Sequence, residues 1–129
     1  MDLSFSQEDR DFQQDVQSFL KAAWPQEMRD KKARSALGKL SKDDLVGWQK
    51  RLAEKGWAAV NWPKEHGGAA FTPTQSYIWD LERAKVGAPG VIPFGMSMVA
   101  PVIMKFGTEE QKAKFLPPIL NSDVWFCQG

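Results

Sequence analysis

The chain has 129 residues, of which 43% are hydrophobic and 26% are charged, and its formal net charge is +1. This length and composition fit one globular domain with a sizeable core, whereas so small a charge excludes nucleic-acid binding that is driven by bulk charge. The single cysteine excludes an internal disulfide, and the lack of any run near the about 20 apolar residues of a membrane helix excludes a membrane span.

The N-terminal segment, MDLSFSQEDRDF, contains early acidic residues and lacks the apolar run of a signal peptide. Together with the single cysteine, this predicts a cytoplasmic location. Ser6 is a good N-cap for a first helix. Apolar residues then follow at helical spacing, namely Phe12, Val16, Phe19, Leu20 and Ala23. Pro25 is expected to end this helix.

The next segment, residues 26–40, is polar and basic. It favours a solvated connection or a short helix over the alternative of a phosphate-contacting patch. A second helix is predicted from Ser41 to a stop at Gly56. Its apolar stripe is formed by Leu45, Trp48, Leu52 and Ala53. The glycine-rich segment that follows predicts a structured loop, and because His66 is the only histidine in the chain, no metal site is expected.

A third helix is predicted to begin at Thr72, which is followed by a proline and then by Gln75 at the capping-box position. Residues 91–106, VIPFGMSMVAPVIMKF, are the most apolar part of the chain and predict a helix that is buried on all sides. Pro101 is expected to kink that helix or to remove one of its hydrogen bonds. Two interpretations remain open, a central core helix or a core helix that also lines an apolar ligand cavity.

A last helix is predicted to begin at the capping box of Thr108 and to end at Pro117-Pro118. The closing segment VWFCQG indicates an opening β-strand. The predicted fold is therefore all-α, an antiparallel bundle of about five helices that ends in the start of a β-strand. No nucleophile–base pair and no paired carboxylates occur at a useful spacing, so the residues alone predict no catalytic residue.

Four segments occur in order along the chain: NWPKEHGG, ERAKVGAPG, MVAPVIMKFGTEEQKAKFLPPIL and VWFCQG. Together they resemble the N-terminal helical domain of acyl-CoA dehydrogenases, and FGTEEQKAKFLPPIL is the most specific of them. The resemblance implies a helical domain over residues 1–122 and the start of a middle β-domain over residues 123–129, shortly before the flavin-binding segment of the family. The GAPG and CQG variants are similar to bacterial members that include steroid side-chain dehydrogenases.

The resemblance implies α,β-dehydrogenation of an acyl-CoA thioester, with FAD as the hydride acceptor. The catalytic carboxylate of the family lies outside this chain, so no residue here is assigned that role. Positions that line the acyl pocket fall at Pro93, Phe94 and Ser97, where the bulk of Phe94 would limit the depth of the pocket. Gln128 and Gly129 match the first positions of the flavin-contacting strand, and a backbone contact is expected there.

The expected partners are an acyl-CoA substrate, an electron-transferring flavoprotein or similar acceptor, and the other subunits of a homo- or hetero-oligomer. One alternative is a stand-alone helical interaction module that docks on a separate flavoprotein subunit through exposed aromatic residues such as Trp62 and Trp125. A second alternative is a domain of a related acyl-CoA oxidase or flavin monooxygenase. In each case the free chain is expected to be inactive and not to retain FAD.

Overall fold

The computed structural model describes residues 4–129, so the first three residues of the N-terminal segment lie outside the described residues. Residues 4–129 form six α-helices and no β-strand, which confirms the all-α prediction. The helices are α1 (Gln7–Ala23), α2 (Gln26–Arg34), α3 (Lys42–Lys55), α4 (Pro73–Lys85), α5 (Ala100–Phe106) and α6 (Glu109–Leu120). None of them, within this described part, is long and apolar enough to cross a membrane.

The chain divides into two compact units. The first contains the described residues up to Ser41 together with Phe71–Pro89, and the second contains Lys42–Ala70 together with Gly90–Gly129. The first unit therefore holds α1, α2 and α4, whereas α3, α5 and α6 belong to the second. The short helix α2 lies within the basic segment 26–40, which confirms the interpretation of that segment as a connection with helical structure.

Helix starts follow local sequence signals. The hydroxyl of Ser6 accepts a hydrogen bond of 3.1 Å from the backbone N–H of Asp9 at the start of α1. Thr72 and Thr108 begin α4 and α6 with complete capping boxes. Because each cap satisfies backbone donors that a helix leaves unpaired, each stabilises its helix by about 1 kcal/mol. The predicted stop at Gly56 is also present, since this residue has a φ of 82°.

In the first unit α1 packs against α4. The core contains Val16, Leu20 and Ile78, all of which are buried. Burying one such side chain contributes about 1.5–3 kcal/mol. Trp24, also buried, directs its indole N–H at the backbone carbonyl of Val86, at 3.1 Å. Apolar burial with a satisfied indole therefore holds the end of α1 to the residue that follows α4.

In the second unit the buried residues come from α3, α6, the loop between Lys55 and Pro73, and the apolar segment. The hydrophobic ones are Trp48, Leu52, Trp57, Ala58, Ala59, Trp62, Met96, Ala100, Leu116 and Ile119. The alternative hypothesis placed Trp62 at an exposed interface, and this expectation is wrong because the side chain is 5% exposed. Trp125 is half-buried, and the Nζ atom of Lys42 lies 5.3 Å from its ring centroid.

Helix α6 continues through Pro117-Pro118 to Leu120, so the prediction that these prolines end the helix is wrong. Proline removes a backbone donor and crowds the preceding turn, and both effects are unfavourable inside a helix. Leu116 and Ile119 lie on either side of the pair and are both buried. We attribute the continuation to their burial, which stabilises the helical conformation across a position that local propensity disfavours.

The apolar segment 91–106 is not buried on all sides, in contrast to the prediction. Met98, Val102 and Phe106 lie four residues apart along one helical face and are 49%, 57% and 74% exposed. We call these three side chains the open stripe. Met96 and Ala100 of the same segment are buried. The segment therefore has one core face and one exposed face.

The last segment, residues 123–129, has no strand hydrogen bonding. A strand requires a neighbouring strand to satisfy its backbone groups, and none is present among residues 4–129. The segment is held by side chains instead. Asp123 forms an ion pair of 3.0 Å with Lys50, and the indole of Trp125 donates a hydrogen bond of 2.6 Å to Ser122.

Candidate functional site

The apolar segment begins with a π-helical turn over Phe94–Val99, here called the π-turn. The backbone N–H of Ala100 donates to the carbonyl of Gly95, five residues earlier, as the wider π-helix requires. Pro101 follows this turn closely and has no N–H to donate to the carbonyl of Ser97, four residues before it. Isolated π-helical turns are frequent at functional sites. Of the three predicted pocket positions, Phe94 and Ser97 lie in this turn and Pro93 directly precedes it.

Pro101 also leaves the carbonyl of Met96 without a helical donor. Its α-helical partner would be Ala100, whose N–H is given to Gly95, and its π-helical partner would be Pro101 itself. The indole Nε1–H of Trp62 supplies the missing hydrogen bond to this carbonyl, at 2.9 Å and in a buried environment. An unpaired buried carbonyl would cost about 1–3 kcal/mol. The loop residue Trp62 is thus bound to the centre of the π-turn.

Gln49 donates hydrogen bonds to the end of α6, alongside the backbone N–H groups that follow this helix. Its side-chain amide donates hydrogen bonds of 2.9 Å and 3.0 Å to the carbonyls of Ile119 and Leu120, and it lies 3.6 Å from the sulfur of Met96. Gln49 is 3% exposed. In the sequence Gln49 directly follows Trp48, which belongs to the apolar stripe of α3. This position next to the stripe is the sequence feature that could have indicated a buried contact.

Gly95 allows the π-turn and α6 to approach each other closely. A Cβ atom built at Gly95 would lie 3.1 Å from a methyl group of Ile119 and 3.4 Å from the ring of Phe126. These distances are at or below ordinary van der Waals contact. The π-turn is therefore fixed on its core side by α6, by Phe126 and by the indole of Trp62.

The exposed side of the π-turn borders an open groove of about 280 Å³. We call it the Ser97 groove, and its walls are formed by Ala58, Ala59, Val60, Asn61, Trp62, Val91, Met96, Ser97 and Pro101. Ser97 is exposed at its edge. The structure brings Ser97 together with a largely apolar surface of the loop 58–62, a surface that the sequence analysis did not assign to any site.

The other two pocket positions lie at the start of the π-turn and are not among the residues that line this groove. Pro93 is exposed and Phe94 is half-buried. The side chains at these positions precede Ser97 by about one helical turn, so all three belong to the same short helical segment. Their predicted contact with an acyl group remains a prediction.

Gln128 and Gly129, the predicted flavin contacts, lie at the end of the last segment and are exposed. Nothing lies within 4 Å of a Cβ atom built at Gly129. Cys127 is an exposed free thiol.

A larger groove of about 520 Å³ lies in the same unit, beside the turn Lys64–His66 and α6. Its floor includes Leu116 and Leu120, and its rim includes Glu109. A hydrogen bond from Lys112 and the charge of that lysine, with a smaller contribution from His66, hold the pKa of the Glu109 carboxyl below its usual value. Among residues 4–129, no group of three or more His, Cys, Asp or Glu residues is placed to hold a metal ion.

The arrangement around the π-turn can bind and orient an apolar group but offers no acid–base chemistry. The Ser97 groove is lined by alanine, valine, methionine, proline and aromatic side chains, with Asn61 and Ser97 as its only polar ones. None of these residues titrates near neutral pH. A base and a redox group would therefore have to come from outside this groove.

The family profile described as "Acyl-CoA dehydrogenase, N-terminal domain" matches residues 6–123. Among similar proteins, the acyl-CoA dehydrogenase FadE26 of Mycobacterium tuberculosis is 33% identical over 135 aligned positions, which cover 100% of this chain and 32% of that protein. The acyl-CoA dehydrogenase IpdE1 of Mycolicibacterium smegmatis is 35% identical over 88 positions, which cover 67% of this chain and 22% of that protein.

Two solved structures share the fold. The ChsE4-ChsE5 complex from Mycobacterium tuberculosis has a chain that is 30% identical with a TM-score of 0.75, over 97% of this chain and 30% of that one. The Tcur3481-Tcur3483 steroid ACAD gives 30% identity and a TM-score of 0.72, over 96% of this chain and 31% of that one. The chain thus spans about a third of the length of the relatives that it matches over its whole extent. From the profile match and the full-length relative, we conclude that this chain belongs to the acyl-CoA dehydrogenase N-terminal domain family.

Proposed function

We propose that this chain is the N-terminal domain of a FAD-dependent acyl-CoA dehydrogenase and that its π-turn forms one wall of the acyl-group site. The observation that carries this proposal is the apolar Ser97 groove, which borders a π-helical turn in a chain of this family. In such an enzyme the groove would receive the apolar part of the substrate, while the thioester end would lie towards the flavin.

Within this site Pro93, Phe94 and Ser97 are the proposed acyl contacts. Phe94 is the largest of the three and is half-buried, so its ring would limit the size of the acyl group that fits beside the π-turn. Ser97 is small, and it leaves the groove edge open. One of the two similar structures is that of a steroid ACAD, which supports an acyl group that carries a bulky apolar ring system as the substrate class.

Gln128 and Gly129 are the proposed contacts to FAD. Both residues are exposed, and they match the first positions of the flavin-contacting strand of the family. When bound, FAD would accept the hydride that leaves the β carbon of the acyl group. This chain would contribute backbone groups to one edge of that site, and two terminal residues are too few to retain the cofactor. The free chain is therefore expected to purify without bound flavin.

The open stripe supports a further part of the proposal, that the domain works in a larger assembly. Met98, Val102 and Phe106 form an apolar face that monomeric soluble proteins seldom leave uncovered. The two similar structures are each named for a pair of proteins, ChsE4-ChsE5 and Tcur3481-Tcur3483. We therefore include a hetero-oligomer, with the stripe covered in the assembly, in the proposed function. An electron-transferring flavoprotein or a similar protein is the proposed electron acceptor.

Two other functions share part of this support. A stand-alone helical module that docks on a flavoprotein subunit would also need the open stripe, although Trp62 is buried and does not contribute to its interface. A related acyl-CoA oxidase or flavin monooxygenase would use the same helical domain. The electron acceptor separates these enzymes, because an oxidase passes electrons to oxygen and a dehydrogenase does not.

The test is an assay of the native assembly that contains this chain, isolated from its own cells. We expect acyl-CoA to reduce bound flavin in the absence of oxygen, and a carrier flavoprotein to reoxidise it faster than oxygen does.

Phe94→Ala should raise the relative kcat/KM for bulkier acyl groups about tenfold. Phe115→Ala, an equal truncation on α6 away from the Ser97 groove, serves as the control and should leave the preference unchanged. Flavin that acyl-CoA does not reduce would refute the proposal.

A further inference from the structure

We propose that Trp62 is a positioning residue whose indole N–H holds the π-turn, and with it Ser97, in the geometry of the groove. The hydrogen bond from Nε1 of Trp62 to the carbonyl of Met96 is 2.9 Å long and buried. That the groove receives an acyl group rests on the proposed function. That Trp62 fixes the π-turn rests on the hydrogen bonding alone.

The helix itself cannot supply this hydrogen bond. The N–H of Ala100 is given to Gly95, and Pro101 has no N–H. The carbonyl of Met96 therefore receives no hydrogen bond from the residue four positions later or from the residue five positions later. An external donor is required because an unsatisfied buried carbonyl is costly, and Trp62 is the donor that the structure provides.

The donor is itself held on a rigid loop. The backbone N–H of Trp62 donates to the carbonyl of Ala59 at 3.2 Å, and its carbonyl accepts from the N–H of Ala70 at 3.1 Å. Gly68 packs directly against the carbonyl of Trp62, where an added Cβ atom would overlap the oxygen. Since both backbone groups of Trp62 are anchored, the indole can set the position of the π-turn rather than follow it.

Trp62 also lines the groove that Ser97 borders. Loss of its hydrogen bond would allow the turn to slip towards α-helical pairing, which rotates the side chains that follow Gly95. Ser97 would then face a different part of the groove. A purely structural role for Trp62 would lower stability without this local change, and the two roles can be separated by experiment.

The first test is hydrogen exchange on the full 129-residue chain. Trp62→Phe keeps an aromatic ring and removes the donor, and we expect protection of the backbone amides in residues 95–103 to fall about tenfold. Trp24→Phe is the matched control, because Trp24 is also buried and also donates from its indole to a backbone carbonyl, that of Val86. It should lower protection in the first unit and leave residues 95–103 unchanged. An equal, uniform loss in both variants would overturn the proposal.

The second test is a double-mutant cycle with Pro101→Ala, which returns an N–H to residue 101. With that donor present the segment can pair as an α-helix, so the effect of Trp62→Phe on protection should shrink by about half or more in the Pro101→Ala background. If Trp62→Phe alone does not fold, the double variant should fold. Additive effects, or a double variant that also fails to fold, would contradict the proposal.

The third test uses the native flavoprotein assembly and separates this inference from the proposed function. Trp62→Phe should raise KM for bulky acyl groups several-fold more than it raises KM for the smallest acyl group. A proportional fall of kcat for all substrates would show a structural role only. If the wild-type assembly has no acyl-CoA activity, the proposed function fails, and the hydrogen-exchange result still decides whether Trp62 positions the π-turn.

Discussion

The side-chain amide of Gln49 lies 2.9 Å from the carbonyl oxygen of Ile119, seventy residues later in the chain, and donates a hydrogen bond to it. The same amide donates to Leu120 at 3.0 Å. These carbonyls belong to the last turn of α6, and the carbonyl of Ile119 also accepts a hydrogen bond of 3.2 Å from the backbone N–H of Ser122. A buried side chain in α3 thus adds two hydrogen bonds to the end of the helix that supports the π-turn.

Replacing the side-chain amide of Gln49 should lower the free energy of unfolding by more than the small change in side-chain size would suggest. Gln49→Leu keeps the volume and leaves two carbonyls with fewer partners, so we expect a loss of about 1–3 kcal/mol in the free energy of unfolding. Chemical denaturation measures it. Gln14→Leu makes the same change at an exposed position of α1 and should alter stability by less than about 0.5 kcal/mol. Equal effects at both positions would contradict the role of Gln49.

Glu82 provides a prediction on pH dependence. It is 4% exposed and accepts hydrogen bonds from Gln13 at 2.7 Å, from Gln17 at 3.1 Å and from Lys85 at 2.7 Å. Burial raises the pKa of this carboxyl, but the hydrogen bonds and the charge of Lys85 outweigh it and leave the pKa below its ordinary value of 4.5. Because the folded state has the lower pKa, the ionised group stabilises the fold above the ordinary value, and this stabilisation is lost as the pH falls below it.

Glu82→Gln should therefore lower stability at neutral pH by about 1–3 kcal/mol, since the retained amide oxygen accepts weaker hydrogen bonds than the carboxylate. The difference in unfolding free energy between wild type and variant should disappear as the pH falls below 4.5, the ordinary pKa of this carboxyl. Denaturation curves at several pH values measure it. Glu54→Gln, at an exposed position of α3, is the control. Its free energy of unfolding should change with pH in the same way as that of the wild type. A difference in unfolding free energy that stays constant across pH would contradict the claim that ionised Glu82 stabilises the fold.

Local signals predicted much of the fold. Ser6, Thr72 and Thr108 each begin a helix as the capping patterns indicate, because the hydrogen bonds of a cap involve residues only three positions apart. Pro117 and Pro118 show the limit of such reasoning. Their helix continues because neighbouring side chains are buried by distant parts of the chain. The local sequence pattern does not show this burial.

The site was predictable to a smaller degree. The family resemblance drew attention to Ser97, and the structure places this residue at a groove. The sequence indicated only an exposed interface role for Trp62, because its partner Met96 is thirty-four residues away and is reached through a backbone carbonyl. Tryptophan-rich loops look alike in sequence whether the ring is exposed or buried. Only the tertiary contact separates the two cases.

Two glycines in the second unit form a matched pair for a stability test. A Cβ atom at Gly68 would overlap the carbonyl oxygen of Trp62, whereas nothing lies within 4 Å of one at Gly47, inside α3. Gly68→Ala should lower the free energy of unfolding by about 3 kcal/mol or more through backbone displacement. Gly47→Ala should raise it by about 0.5–1 kcal/mol, since alanine favours the helix. Thermal unfolding of both variants measures these changes, and a tolerated Gly68→Ala would be evidence against the close contact at Trp62.

The open stripe gives a prediction on association. Phe106 is 74% exposed, so Phe106→Ser should change the stability of the free chain by less than about 0.5 kcal/mol. It should also reduce self-association of the free chain, which sedimentation velocity measures, because exposed apolar patches promote it. Leu116→Ser removes a buried side chain instead and should destabilise the fold by several kcal/mol. Unchanged association of Phe106→Ser would show that the stripe does not mediate self-association of the free chain.

The central claim is that the π-turn borders the acyl group of a bound acyl-CoA, and photo-crosslinking tests it most directly. The native assembly would be illuminated with an acyl-CoA analogue that carries a photoreactive group at the distal end of its acyl chain. The labelled peptides would then be identified by mass spectrometry. We predict labels within residues 91–101, with loss of labelling when excess unmodified acyl-CoA competes. Competed labels that fall only outside this chain, or only on the exposed face of α1, would contradict the claim.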